Sequence, residues 1–378
     1  MSSVTPLRRT DPVLLLSIFG FLVLGLLTIA VASYLLFAVG TVAAAVAFVM
    51  ALVPLALVLF TLRWIDQWEP EPRLALLFAF LWGAAASIAI ALIFSFLVSM
   101  AQAMSGVNES FATMFLAAVV QAPIVEEFGK GLGILLLFWA FRRHFEGPVD
   151  GLVYASTIAV GFAFTENIQY FGLALTSDGV AGVSEIFFLR GILSPFAHVM
   201  FTAIPGIVLG FASHRASGFG AAGYFLLGLI PAILLHAFWN GMSLIVTDFY
   251  VYYVVVQVPL FLIAISIVLF LRRQEQRVTA ARLGEYAAVG WFTPAEVRML
   301  STGAGRSQGR AWAARHGLGP QFGRFTRNAT RLAFARQRVV SSRDRIGAQR
   351  AESDLLAELM ADRRALSALP PLPAPMPR

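Results

Sequence analysis

Between Pro12 and Leu271 the chain is a succession of apolar runs, each about as long as a helix needs to cross a bilayer. Lipid offers the backbone no water, so such runs are read as helices that close their hydrogen bonds internally. Eight spans are predicted. Two fill the block from Pro12 to Phe60, divided near Gly40, and the others run from Leu74 to Ala101, Thr113 to Ala140, Val149 to Leu175, Ile186 to Ala212, Ala221 to Val246 and Phe249 to Leu271. A composition of 58% hydrophobic and 13% charged residues excludes a soluble globular chain. The expected fold class is all-α: a polytopic membrane helical bundle of about eight transmembrane helices with a basic helical cytoplasmic tail.

The loops carry a charge bias that orients this layout. Arg8, Arg9, Arg63, Arg73, Arg142, Arg143, Arg215, Arg272, Arg273 and Arg277 fall on one side, while the loops around Gly40, Ser105 to Glu109, Thr176 to Glu185 and Thr247-Asp248 hold no Lys or Arg. Positive charge collects on the cytoplasmic side, so a multi-pass cell-membrane protein with both termini cytoplasmic is expected. The first helix has no cleavage pattern behind it and is expected to be retained. Arg190 departs from the bias near the outer end of the sixth span, where snorkelling or pairing is expected.

Three regions follow: a helix pair over 1–62, a six-helix core over 63–271 and a basic region over 272–378. The last holds 19 Arg against 8 acidic residues. Its Thr293-Pro294-Ala295-Glu296 has the form of a capping box with proline at the first helical position. A second helical stretch is predicted from Phe325 to Leu369, interrupted near Gly347, with an extended end from Pro370 to Pro375. Its sparse apolar content predicts a small or mobile appendage. Its charge suits the lipids of an anionic inner leaflet, and suits nucleic acid less well. With no cysteine in the chain, disulfides, thiolate metal sites and cysteine nucleophiles are excluded.

Charges inside the spans carry the chemistry. Glu126, Glu127 and Lys130 sit in the middle of the fourth span, and each such charge costs roughly 2.5–3.5 kcal/mol at a helix centre, so it must face protein or water. Glu126 and Lys130, four apart, are expected to share a face, with Glu127 about 100° away. The fifth span offers Glu166 and Asn167 with Tyr170 one turn on, the sixth His198 with Thr202, and the seventh His236 with Asn240. Glu126, Glu166, His198 and His236 fall within roughly 6 Å of the midplane at about 1.5 Å rise per residue, so one polar layer shared by four helices is expected. A purely structural ion pair between Glu126 and Lys130 would not require two further glutamates and two histidines. Pro123, Pro195 and Pro231 precede Glu126, His198 and His236 by three to five residues and free backbone carbonyls there, which predicts a widened, hydrated pocket. His144, His214 and His316 read as surface residues.

Two imidazoles and a carboxylate form a common zinc set, so Glu166, His198 and His236 are the expected Zn²⁺ ligands. There is no His-Glu-x-x-His, no Gly-x-Ser-x-Gly elbow in a span and no Gly-Asp pair at a helix centre. What remains is chemistry built on Glu and His.

The series Glu126-Glu127-x-x-Lys130, Phe162-x-x-x-Glu166-Asn167, His198 and His236-x-x-x-Asn240 resembles the four motifs of the PrsW-type intramembrane proteases. These are relatives of the CAAX-prenyl and bacteriocin-processing proteases, which carry His where this chain has Glu166. Glu69-Pro70 and Asp150-Gly151 also look like family features, and the resemblance covers about Arg63 to Val246. It implies a membrane-embedded peptidase cutting single-span membrane proteins, such as anti-sigma factors, in regulated intramembrane proteolysis. The family's glutamate pair maps to Glu126 and Glu127, and its other polar residues to Glu166, His198, His236 and Asn240.

On this reading one carboxylate of the pair, with Glu127 slightly favoured, is the general base on water polarised by Zn²⁺. Asn240 donates to the oxyanion and Lys130 holds its carboxylate partner, taken as Glu126, ionised. Two alternatives use the same residues: a metal-independent glutamate protease with His236 and Asn240 as oxyanion donors, and a proton-coupled transporter. Transporters usually show matching halves, whereas the polar residues here concentrate in spans four to seven.

Overall fold

The computed structural model describes residues 12–142, 145, 147–213, 218–341 and 345–367. Arg8, Arg9, Arg143, His144, His214, Arg215 and the stretch from Pro370 to Pro375 lie outside the described residues. Among the described residues every regular element is a helix.

Helices α1 (Pro12–Val39) and α2 (Thr41–Ile65) are separated by Gly40 alone. Its φ of 81° is a conformation that a β-carbon disfavours, so the expected break falls on the glycine. The membrane part continues through α3 (Arg73–Met104), α4 (Phe111–Ala140), α5 (Pro148–Ile186), α6 (Ala197–Ala212), α7 (Gly218–Ile245) and α8 (Phe249–Ala288). By length and apolarity, seven segments among the described residues can cross a membrane, because 148–212 counts as one of 65 residues. That segment doubles back. A β-carbon on Gly206 would strike the Gly151 carbonyl, and one on Gly210 the Gly147 carbonyl, so the start of α5 lies against the end of α6. Its two arms supply the fifth and sixth of the eight expected spans.

The turn between those arms differs from expectation. The predicted loop from Thr176 to Glu185 is helical apart from Gly179, where φ is 69°. Thr176 and Ser177 bond back to the carbonyls of Gly172 and Leu173 at 3.1 and 3.0 Å, which carries the helix up to the glycine. A π-helical stretch, Phe187–Leu193, follows, and α6 starts only after Ser194-Pro195.

Helix α5 is the axis of the bundle. Every residue from Val149 to Ala163 is buried, as expected of a helix apolar all round, and α2, α3, α4 and α6 pack against it. Small residues set these contacts, because in lipid close packing drives helix association. A β-carbon on Gly83 would collide with the Ile158 carbonyl, and one on Gly161 with the Phe80 carbonyl. Three other helices also contain a π-helical turn: Trp82–Ser87 in α3, Ala117–Gln121 in α4 and Tyr253–Gln257 in α8. Such turns are rare and are frequent at functional sites.

The basic region is a packed helical unit, which corrects the expectation of a small or mobile appendage. Helix α8 runs without a break across residue 272, and α9 (Pro294–Ser301), α10 (Gly303–Arg315), α11 (Gly319–Ser341) and α12 (Arg345–Ser367) follow. The capping box forms: the Glu296 amide donates to Thr293 Oγ1 at 3.1 Å, and the Thr293 amide to Glu296 Oε2 at 2.7 Å. Apolar residues are few but share one face, with Phe325, Ala329, Leu332 and Ala333 at helical spacing, and they close a core with Leu283, Phe292, Leu300, Leu355 and Leu359. Arg306 pins this unit to the loop between α2 and α3. Its buried guanidinium lies 3.4 Å over Trp68 and donates to the carbonyls of Trp68 and Leu300 at 2.9 and 2.7 Å and to Thr330 at 2.6 Å. The Trp68 indole in turn donates to Thr279 at 3.1 Å. In the same loop the Glu71 amide donates to Asp66 at 3.1 Å, and the Tyr154 hydroxyl of α5 donates to the Glu71 carboxylate.

Candidate catalytic and metal centre

Four helices bring the polar layer together. On α4, Lys130 Nζ lies 2.5 Å from Glu127 Oε1, with no exposure on either side chain, and 3.8 Å from Glu126 Oε2. This corrects the expected pairing. Positions three and four apart are both within reach on a helix, and the choice is made from outside it. His236 of α7 donates from Nδ1 to Glu127 Oε1 at 3.0 Å, and Thr202 of α6 donates to Oε2 at 2.8 Å. Glu127 is thus held from three sides. Glu126 Oε2 is buried and has no hydrogen-bond partner, and His236 Nε2 stands 3.9 Å from it.

His198 of α6 accepts from Lys130 Nζ at its Nδ1, 3.3 Å away, and meets Glu166 Oε2 of α5 through Nε2 at 2.8 Å. Glu166 is also paired with Arg190 from the π-helical stretch, and Arg190 Nε donates to Asn167 Oδ1 at 3.0 Å. Aromatic rings wall the centre. Phe162 lies 4.4 Å from Lys130 Nζ, and Phe201 stacks on the His236 ring at 4.7 Å.

Asn240 sits apart from these groups and donates to the Ala118 carbonyl at 2.9 Å. Ala118 lies in the π turn of α4, where the i→i+5 register would direct its carbonyl to residue 123. That residue is Pro123, which has no N–H, so the amide of Asn240 takes the missing donor's place. Pro195 likewise falls in the break before α6, while Pro231 lies inside α7.

Glu126, His198 and His236 each offer one ligand atom, all within 4.8 Å of one another, the one such group among the described residues. Three carboxylates face two cations, Lys130 and Arg190, which leaves a negative charge suited to a cation. Together with the unpartnered Glu126 oxygen, this donor set fits a divalent ion that accepts nitrogen and oxygen ligands. It shares both histidines with the set expected from sequence and differs in the carboxylate, since Glu166 stands behind His198, engaged by Arg190. Arg190 itself was missed as a site residue. The signal was present: it is the one basic residue that falls toward the loops otherwise free of Lys and Arg.

These features define a polytopic membrane protein built around a buried centre of two glutamates, a lysine and two histidines. The family model described as PrsW family intramembrane metalloprotease matches residues 71–264, about half of the chain. The chain belongs to the PrsW family of intramembrane proteases. It is 28% identical to Protease PrsW of Clostridioides difficile (strain 630) over 198 residues, covering 52% of this chain and 79% of that relative. It is 31% identical to Protease PrsW of Oceanobacillus iheyensis over 149 residues, 38% of this chain and 64% of the relative. With Protease PrsW of Bacillus subtilis (strain 168) it shares 30% over 126 residues, 33% of this chain and 53% of the relative. Matches to the latter two thus span less than two thirds of their length. No solved structure matches the chain.

Proposed function

We propose that the centre hydrolyses peptide bonds of single-span membrane proteins, anti-sigma factors among the candidates, with Zn²⁺ held by Glu126, His198 and His236. The observation that carries the reading is the Glu126 oxygen left without a hydrogen bond between converging imidazoles. A zinc ion there supplies Lewis acidity, polarising an oxygen and easing proton loss from water near neutral pH. The chain's own residues do the rest. Glu127 fixes the His236 tautomer by accepting from Nδ1, so Nε2 is the nitrogen turned toward Glu126. Lys130 balances Glu127, and Thr202 fills its second oxygen. With Glu126 Oε2 taken as the ligand, proton uptake from the attacking water falls to the other Glu126 oxygen, Oε1, since both oxygens of Glu127 are engaged. The Asn240 bond to Ala118 favours a backbone-supporting role over the oxyanion donation expected of it in either reading.

The charge bias of the loops supports cytoplasmic termini, with the basic unit against the anionic inner leaflet. Exposed Arg310, Arg315, Arg327 and Arg331 would meet those lipids.

The test is purified full-length protein in detergent, assayed for zinc content and for cleavage of single-span reporter substrates with and without chelator. The expected result is about one zinc per chain, lost in His198→Ala and His236→Ala, with cleavage that a chelator stops and zinc restores. Cleavage that persists in zinc-free protein overturns the metal, and folded zinc-loaded protein that cuts no reporter overturns the peptidase reading.

A further inference from the structure

Arg190 belongs to no part of the mechanism above, yet it is the most extensively engaged cation on the outer side of the centre. It projects from the π-helical stretch Phe187–Leu193 and holds three residues within one turn of α5: the Glu166 carboxylate, the Asn167 side chain at 3.0 Å and the Tyr170 ring at 4.1 Å. The guanidinium turns inward onto α5, whereas a side chain that merely anchored a surface turn would snorkel outward to water. The informative detail is the shared atom. Glu166 Oε2, which accepts from Arg190, also meets His198 Nε2 at 2.8 Å.

We propose that Arg190 is a positioning residue of the centre: by holding Glu166 it fixes His198 in the Nε2–H tautomer and presents Nδ1 to the interior. Two independent contacts agree on that tautomer. A carboxylate paired with a guanidinium is an acceptor, so Nε2 must donate; Lys130 is a donor only, so Nδ1 must keep its lone pair. His236 is set the opposite way, with Nδ1 donating to Glu127. The two rings stand 5.3 Å apart at 90°, each backed by its own carboxylate. In this chain Glu166 stands at the centre only with its charge partner, so the Glu166–Arg190 pair works as one unit. Arg suits the position better than Lys, because its planar fork reaches Glu166 and Asn167 together.

This inference deepens the peptidase reading and rests on it for its kinetic part, so the experiment has two readouts. Full-length protein labelled with ¹⁵N-histidine in detergent reports the tautomer of each imidazole, and the same preparations are assayed for cleavage of a single-span reporter. Wild type is expected to show His198 as Nε2–H and His236 as Nδ1–H. Arg190→Gln is expected to lose the His198 pattern and keep that of His236, with kcat down about 10- to 100-fold and KM within about twofold, the range seen when a ligand's outer partner is removed. Arg190→Lys is expected to recover part of both signals, which keeps the test open if Arg190→Gln folds poorly. In a Glu166→Gln background Arg190→Gln should add no further loss of kcat. An unchanged His198 spectrum in folded Arg190→Gln overturns the proposal, as does a rise in KM at unchanged kcat, which would make Arg190 a substrate contact. A wild type that cuts no reporter counts against the peptidase reading, while the imidazole spectra still decide the role of Arg190.

Discussion

Lys130 and Glu127 meet at 2.5 Å with neither side chain exposed. Removing either leaves an uncompensated buried charge, a change that typically costs about 3–5 kcal/mol. Lys130→Met and Glu127→Gln are therefore each expected to lower the thermal unfolding midpoint strongly, and the double variant to recover much of the loss. Equal or greater destabilisation of the double variant, measured in the same detergent, would count against pairing as the source of the effect.

Glu126 offers the opposite combination. Its Oε2 makes no hydrogen bond, so Glu126→Gln should unfold within a few degrees of wild type. If it is ligand and proton acceptor, zinc content and cleavage should both collapse, with kcat down at least about 100-fold on the scale of general acid–base catalysis. Retained zinc and cleavage in a folded variant would remove Glu126 from the reaction.

Asp66 lies outside the spans, and burial pushes its carboxyl up to about 7 although the Glu71 amide and the Arg63 charge both pull it down. The unfolded value is near 3.9, so the folded chain binds the extra proton between about pH 4 and 7. This contribution to stability is complete below about pH 4 and is lost as pH rises through about 7. Asp66→Asn, which keeps an acceptor for the Glu71 amide, should match wild type near pH 4 and gain on it progressively up to pH 8 in thermal unfolding. A constant offset at all pH values would contradict the assignment.

Arg306 joins the basic helical unit to the loop between α2 and α3. Arg306→Ala strands the carbonyls of Trp68 and Leu300 and removes the cation stacked on the Trp68 ring. A loss of about 2–4 kcal/mol is expected, from buried acceptors left bare. Hydrogen exchange in residues 66–72 and in α9 should rise together. Faster exchange in α9 alone would mean the loop does not depend on the unit.

The spans and the polar layer were legible because lipid imposes a simple rule on apolar length and makes each buried charge conspicuous. Gly40 and the Thr293 box announced themselves by local chemistry. The pairing of Lys130 was not legible, since Glu126 and Glu127 are equally reachable along the helix and the decision came from Thr202 and His236 on other helices. Nor was the role of Asn240, which answers a carbonyl freed by a proline on a different helix. The packing of the basic unit hid behind its composition: a few apolar residues suffice when they all occupy one face.

The π turns have a consequence for how these helices tolerate editing. Each holds one residue more than an α-helical turn of the same reach, so the helix beyond it faces about 100° away from where an unbroken one would point. Deleting a single residue from 187–193 would mend the backbone ladder and at the same stroke swing Arg190 off Glu166. Deleting one from 117–121 would straighten α4 and carry the Ala118 carbonyl away from Asn240. Around this centre the extra residue of each π turn aims the side chains, and shortening the chain toward a more regular helix would dismantle the site.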